Sequence, residues 1–186
     1  MFPLHTQSHK NQTLAQVCHE LNIKEKDLIS AEQIHGDGIS VVNKRYLGQK
    51  ISLVDALITS EKGVPLVIRT ADCAPILIYD PQKNILALVH AGRKGTELEI
   101  TTKTIEKMKS LGSNPKDLTA KIGPCIGKCC YPMDIGGENL KQLEKAGVQK
   151  EKIDIHPDCT CCNTDKYYSY RGDGPGTGRM FLVAML

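Results

Sequence analysis

The apolar positions of this chain fall into two periods. Short runs of β-branched and aliphatic residues at 54–59, 65–70, 76–79 and 85–90 are bounded by polar turns, as buried strands are. Ser60-Glu61-Lys62-Gly63 separates the first two runs. Asp80-Pro81-Gln82-Lys83-Asn84 joins the last two and is short and polar enough to predict an antiparallel hairpin. Upstream, residues 28–42 carry a strand into Gln33-Ile34-His35-Gly36-Asp37-Gly38, where two glycines predict a sharp turn beside the histidine. Helical spacing appears in three places. Leu14, Val17, Cys18 and Leu21 predict a short helix capped by Asn11 and ending near Asn22. Leu98, Ile105, Met108 and Leu111 predict a helix over residues 96–111, stopped by Gly112. A third helix over residues 137–146 is ended by Gly147. Further strands are expected at residues 118–122, at 153–155 and, after the glycine-rich loop 172–178, at 180–186. Strands and helices mix without strict βαβ alternation, which predicts an α+β layered fold. No repeat or linker interrupts residues 1–186, so a single domain is expected.

Composition narrows the classes. The chain has 186 residues, is 40% hydrophobic and 24% charged, and carries a formal net charge of +3. That charge is small and dispersed, and aromatics are limited to two Phe and six Tyr, so no nucleic-acid partner is expected. No apolar run reaches the roughly 20 residues of a membrane span. Met1-Phe2-Pro3-Leu4-His5 opens no basic, then hydrophobic, leader, and the expected location is the cytoplasm. There the eight cysteines are expected to be reduced. Six of them form two clusters, Cys125, Cys129 and Cys130, and Cys159, Cys161 and Cys162. Cys159-x-x-Cys162 is one zinc-type hook, and Cys125-x-x-x-Cys129 has a looser spacing. Adjacent cysteines seldom serve one metal, so packed free thiols are the simpler expectation and a structural zinc the alternative. His156 is a candidate fourth ligand there, or else an ordinary loop histidine.

Candidate chemistry concentrates at two strand ends. Leu66-Val67-Ile68 leads to Thr70-Ala71-Asp72-Cys73, and residues 85–89 lead to His90-Ala91-Gly92. A thiol and an imidazole so placed are either metal ligands or a nucleophile–base pair. His35 would complete a set of two imidazoles and one thiolate, which binds zinc tetrahedrally and leaves one position open, as catalytic zinc sites do. The glycine-rich loop near the end lacks the residue order of a phosphate-binding P-loop and opens no helix. Arg171 and Arg179 flank it, and their guanidinium forks suit phosphate or carboxylate.

Ordered segments then carry a resemblance. They are Gln33-Ile34-His35-Gly36, Asp55-Ala56-Leu57-Ile58-Thr59, Thr70-Ala71-Asp72-Cys73-Ala74-Pro75 and Val89-His90-Ala91-Gly92-x-x-Gly95-Thr96. Ile122-Gly123-Pro124-Cys125-Ile126-Gly127, Cys129-Cys130-Tyr131, Cys159-Thr160-x-Cys162, Tyr168-Ser169-Tyr170-Arg171 and Thr177-Gly178-Arg179 follow. From about Leu28 to Leu186 the chain resembles the purine nucleoside phosphorylases once called multicopper polyphenol oxidases or laccases, a family that includes the peptidoglycan editing factors. The resemblance implies a layered α/β sandwich with mixed, largely antiparallel sheets. It also implies one zinc, with copper as the alternative, held at His35, Cys73 and His90. Implied substrates are purine nucleosides (adenosine, inosine, guanosine and methylthioadenosine) with phosphate, split to free base and ribose 1-phosphate. Deamination of adenosine to inosine is implied as a second activity. Arg171 is then the phosphate or ribose anchor and Asp72 a proton-transfer or ligand-supporting group, with the protein a monomer or a homodimer. The alternatives are a copper polyphenol oxidase, a cysteine hydrolase using Cys73 and His90 on peptidoglycan precursors, and a truncated metal-binding homologue of low activity. Six histidines are few for several coppers.

Three departures from the family pattern bear on the substrate. The usual Ala-Gly-Trp-Arg-Gly-Thr reads Ala91-Gly92-Arg93-Lys94-Gly95-Thr96, the usual Tyr-Glu-Val reads Tyr131-Pro132-Met133, and the usual paired arginine reads Arg171-Gly172. Members usually also begin with several dozen further residues, which this sequence is expected to lack.

Overall fold

The computed structural model describes residues 3–186; Met1 and Phe2, at the start of the stretch read for a leader, lie outside the described residues. Two mixed sheets lie face to face. In chain order the strands are β1 (Leu4–Gln7), β2 (Ile29–Ala31), β3 (Ile39–Val41), β4 (Lys50–Ile51), β5 (Ala56–Thr59), β6 (Leu66–Thr70), β7 (Ala74–Asp80), β8 (Ile85–Ala91), β9 (Thr119–Ile122), β10 (Ile153–Ile155) and β11 (Met180–Met185). One sheet has the order β1-β11-β6-β2-β4 and the other β10-β9-β7-β8-β5-β3. The helices are α1 (Leu14–Glu20), α2 (Arg93–Glu97), α3 (Ile100–Ser110), α4 (Ile135–Lys145) and α5 (Tyr170–Asp173).

The two-residue period of the strands explains the layering. On β7 and β8, Leu77, Tyr79, Leu86 and Leu88 point between the sheets, where they meet Leu66, Ile68 and Leu182 of the facing sheet. Their neighbours Ile76, Ile78, Ala87 and Val89 point the other way, onto Ile105 and Met108 of α3 and Leu143 of α4. Every residue of β7 and β8 is buried, so both read as apolar runs broken only at Asp80 and His90. On the far side, Val17 and Cys18 of α1 cover Val67 and Val183. The order helix, sheet, sheet, helices is the layered α/β sandwich expected, with antiparallel and parallel pairs in both sheets.

The β7–β8 hairpin forms in the register Ala74↔Ala91 to Asp80↔Ile85. Several expected boundaries move, each for a local reason. Thr13, not Asn11, caps α1: its side chain accepts from the Gln16 amide while Gln16 reaches back to the Thr13 amide. Asn11 instead takes a positive φ of 71° in the preceding turn. The single strand expected over residues 28–42 is two, β2 and β3, placed in different sheets by the turn around His35. The helix expected over residues 96–111 breaks between α2 and α3, where Glu99 is left-handed with φ 58°. Gly112 (φ 101°) and Gly147 (φ 102°) follow α3 and α4 as expected. Strands β1 and β4 and the short α5, which runs into the first two residues of the glycine loop, add to the expected elements.

Candidate metal centre and cavity

Cys73 sits where the chain crosses between the sheets. β6 ends at Thr70, residues 71–73 make the crossing, and β7 starts at Ala74 in the other sheet. The thiol and His90 are thus neighbours through the β7–β8 pairing, in which Pro75 faces His90, rather than through β6. Asp72, one residue before the thiol, takes φ 86°, and His35 takes φ 59°. A left-handed backbone costs a side-chain-bearing residue about 1–2 kcal/mol. Such strain persists only where surrounding bonds hold it.

Asp55 supplies those bonds around His35. It is wholly buried at the entrance to β5. Its Oδ2 accepts the amides of Ile34 (3.2 Å) and Gly36 (2.8 Å), and Oδ1 accepts the amide of His35 (3.0 Å) and lies 2.7 Å from His90 Nδ1. One carboxylate therefore shapes the His35 turn and orients the His90 ring. Gln33 fastens the same turn to β6: Nε2 donates to the Arg69 carbonyl at 2.6 Å and Oε1 accepts the Arg69 amide at 2.8 Å. The two imidazoles meet edge-on, 4.9 Å between centroids.

The ligand atoms of His35, Cys73 and His90 all lie within 4.8 Å of one another. Burial opposes charge on the Cys73 thiol, but bonds from His35 and His90 outweigh it and bring the thiol down to about 6. Burial likewise opposes charge on His90, yet Asp55 and Cys73 raise it to about 9. Asp55 itself, despite its burial, is held below the usual carboxylate range by His90 and the loop amides. A Cβ on Gly92 would come within 3.0 Å of both Cys73 Sγ and His35 Cδ2, so a glycine there leaves room for the three side chains to converge. A soft thiolate, two imidazoles and a carboxylate behind one of them suit a thiophilic divalent ion. The cluster could therefore hold a metal.

The cluster opens into a cavity of about 990 Å3. Lys50, Arg69, Arg93, Lys94, Arg171 and Arg179 line it, against the acids Glu32, Asp72 and Glu97. Arg93 Nε donates to Glu97 at 2.8 Å, and Arg179 Nη1 donates to the carbonyls of Thr177 and Gly178. Arg171 lies over the Tyr131 ring, 5.7 Å from its centroid, with its backbone amide bonded to Asp72 Oδ2 at 2.7 Å. Asp72 Oδ1 accepts the Thr160 hydroxyl at 2.7 Å. Both Asp72 oxygens thus join the crossing to the loops that carry Thr160 and Arg171. Asp55 and Thr160 stand in the quoted motifs, but nothing in their spacing signals these roles.

The cysteine clusters rearrange. The ligand atoms of Cys129, Cys130, Cys159 and Cys162 lie within 4.8 Å of one another, so adjacent Cys129 and Cys130 do converge. Cys125, expected to form a hook with Cys129, instead packs in the core beside α4, where burial raises its thiol to about 12. His156 lies against the Tyr167 ring, and its Nδ1 accepts the Asp158 amide. Among the described residues no helix is long and apolar enough to cross a membrane.

Comparison with known proteins identifies the family. A purine nucleoside phosphorylase of Clostridium acetobutylicum is 34% identical over 84% of this chain and 75% of its own length. One from Corynebacterium glutamicum is 32% identical over 86% of this chain and 74% of its own. The crystal structure of YlmD from Geobacillus stearothermophilus superposes with a TM-score of 0.88 at 26% identity, covering 98% of this chain and 89% of that one. The profile of the multi-copper polyphenol oxidoreductase laccases matches residues 6–136 and 132–186. The chain belongs to that laccase-like family, whose curated members similar to it are named purine nucleoside phosphorylases.

Proposed function

We propose that the protein is a zinc-dependent purine nucleoside phosphorylase, with adenosine, inosine, guanosine and methylthioadenosine as the substrate class. One observation carries the reading: the His35–Cys73–His90 donor set opens directly into a cavity walled by cations. In phosphorolysis the C1′–N9 bond breaks as a phosphate oxygen bonds C1′. The electron pair leaves with the base, which then takes up a proton, and the products are free base and ribose 1-phosphate. The chain must therefore hold an anion beside a sugar that becomes cationic. Arg171 is the anchor we assign to phosphate, since its backbone is fixed by Asp72 and its guanidinium lies over Tyr131, both residues lining the cavity. Asp72, with both oxygens engaged, acts as a positioning residue for that wall. When bound at His35, Cys73 and His90, zinc supplies a Lewis acid with an open position, suited to charge on the departing base or to activating a water for deamination at C6.

Cys73, His90 and Asp55 also stand in the thiol–imidazole–carboxylate order of a cysteine hydrolase. A second imidazole within reach of the same thiol favours the metal. Copper oxidation is less well supported, because among the described residues only two imidazoles converge.

The test uses zinc-loaded protein with inosine or adenosine, with and without phosphate. Phosphate-dependent release of free base with ribose 1-phosphate is expected, and inosine formed from adenosine without phosphate reports the deaminase. Full zinc occupancy with no base released at any phosphate concentration would overturn the reading. Arg171→Ala should raise KM for phosphate by about 10–100-fold, as the loss of a charged hydrogen bond does, and leave zinc content unchanged.

A further inference from the structure

Four of the eight cysteines meet away from the His35 cluster. Residues 127–131 turn back on themselves, with the Cys130 and Tyr131 amides both bonding the Gly127 carbonyl. Residues 159–163 make a matching turn, in which the Asn163 amide and side chain bond the Cys159 carbonyl. Each turn presents two thiols to the other. Cys162 Sγ is 3.4 Å from Cys129 Sγ and 3.4 Å from Cys130 Sγ, and all four sulfurs lie within 4.8 Å of one another.

The 3.4 Å pairs and the 4.8 Å outer limit bracket the edge of a tetrahedron of thiolates. Zinc–sulfur bonds of about 2.3 Å place neighbouring sulfurs about 3.8 Å apart. The backbone is arranged for charge on sulfur as well. The Gly127 amide donates to Cys159 Sγ at 3.2 Å, so this sulfur already accepts a backbone hydrogen bond, which favours its thiolate. A Cβ at Gly127 would stand 3.3 Å from Cys129 Sγ and 3.6 Å from Cys159 Sγ, which places this loop directly against the cluster. Cys129 and Cys162 are exposed, so an ion can reach the site from solvent.

We propose a second metal site, in which Cys129, Cys130, Cys159 and Cys162 bind one zinc as a closed four-thiolate centre. Four protein ligands leave no open position, so the role is structural. The site clips the loop of residues 125–131 to that of residues 159–162. Between them these loops supply Ile126 and Tyr131 of the cavity wall and the Thr160 hydroxyl that holds Asp72. Binding displaces the thiol protons to solvent and involves no change of oxidation state. The proposal is independent of the reaction assigned to the cavity.

Zinc content is measured by native mass spectrometry on reduced protein titrated with zinc. Two ions per chain are expected for the unaltered protein. One is expected after Cys129→Ser with Cys162→Ser, and one after His35→Ala with His90→Ala. In cobalt-substituted protein, the strong thiolate-to-cobalt absorption should survive the histidine substitutions and largely vanish with the cysteine ones. Unaltered protein guards against variants that fail to fold: zinc should slow iodoacetamide labelling of these four cysteines at least tenfold, and a chelator should restore it. A single zinc per chain that survives Cys129→Ser with Cys162→Ser, labelling indifferent to zinc, or a Cys129–Cys162 or Cys130–Cys162 disulfide in protein never exposed to oxidant would each overturn the proposal.

Discussion

Asp55 does more for the candidate centre than any residue that could touch the ion. It receives three consecutive backbone amides and one imidazole nitrogen from inside the protein, fixing both the turn that presents His35 and the tautomer of His90. Asp55→Asn keeps the shape but replaces an anionic acceptor by an amide that must offer one face as a donor. Zinc affinity at the His35–Cys73–His90 centre should fall about 10–100-fold, as loss of such a supporting carboxylate does, while competition titration leaves the four-thiol centre unaffected. An unchanged affinity would mean that His90 is oriented by packing alone. The convergence of His35, Cys73 and His90 was legible, because each lies in a distinctive short motif. The role of Asp55 was not, because its partners come from the turn after β2 and from the end of β8, and only the folded chain brings those together.

At the scale of elements, local signals predicted type better than boundary. The β7–β8 hairpin was readable because a polar loop joins two largely apolar runs. Strands β1 and β4 are four and two residues long, and their patterns carry little alternation. They exist because β11 and β2 offer open edges to pair with. The break between α2 and α3 had no glycine or proline to announce it; the left-handed residue is Glu99. Helix α1 shows a cap choosing between candidates. Thr13 prevails over Asn11 because Gln16 completes a reciprocal box with it. Thr13→Ala should therefore cost about 1 kcal/mol, read as a melting temperature lower by about 2–4 °C for a domain of this size. Asn11→Ala should cost less, and a reversal of that order in thermal denaturation would contradict the assigned cap.

Across the whole molecule, the interior between the sheets carries the architecture. Leu88 lies wholly buried there, among side chains of both sheets. Leu88→Ala should destabilise by about 2–5 kcal/mol, measured by denaturant unfolding of metal-free protein so that ion binding does not mask the loss. A smaller effect would mean that the two sheets close readily over the cavity left behind. The mixed sandwich was legible as a class, since strands and helices alternate irregularly. The sheet order was not, because four pairings are parallel and join segments distant in the chain.

The crossing at residues 71–73 has a kinetic consequence. The His35 turn hangs from β2 and is tied to β6 by Gln33, in one sheet, while His90 belongs to β8 in the other and Cys73 lies on the bridge. An ion held by these three would span the seam between the layers, so that any parting of the layers would draw its ligands away from one another. Its escape rate would then respond to breathing of the sandwich as well as to exchange through the cavity. Substitutions such as Leu88→Ala, remote from every ligand, should quicken zinc release to a chelator in proportion to their effect on stability, whereas the four-thiol centre, stitched between two surface turns, should keep its own time.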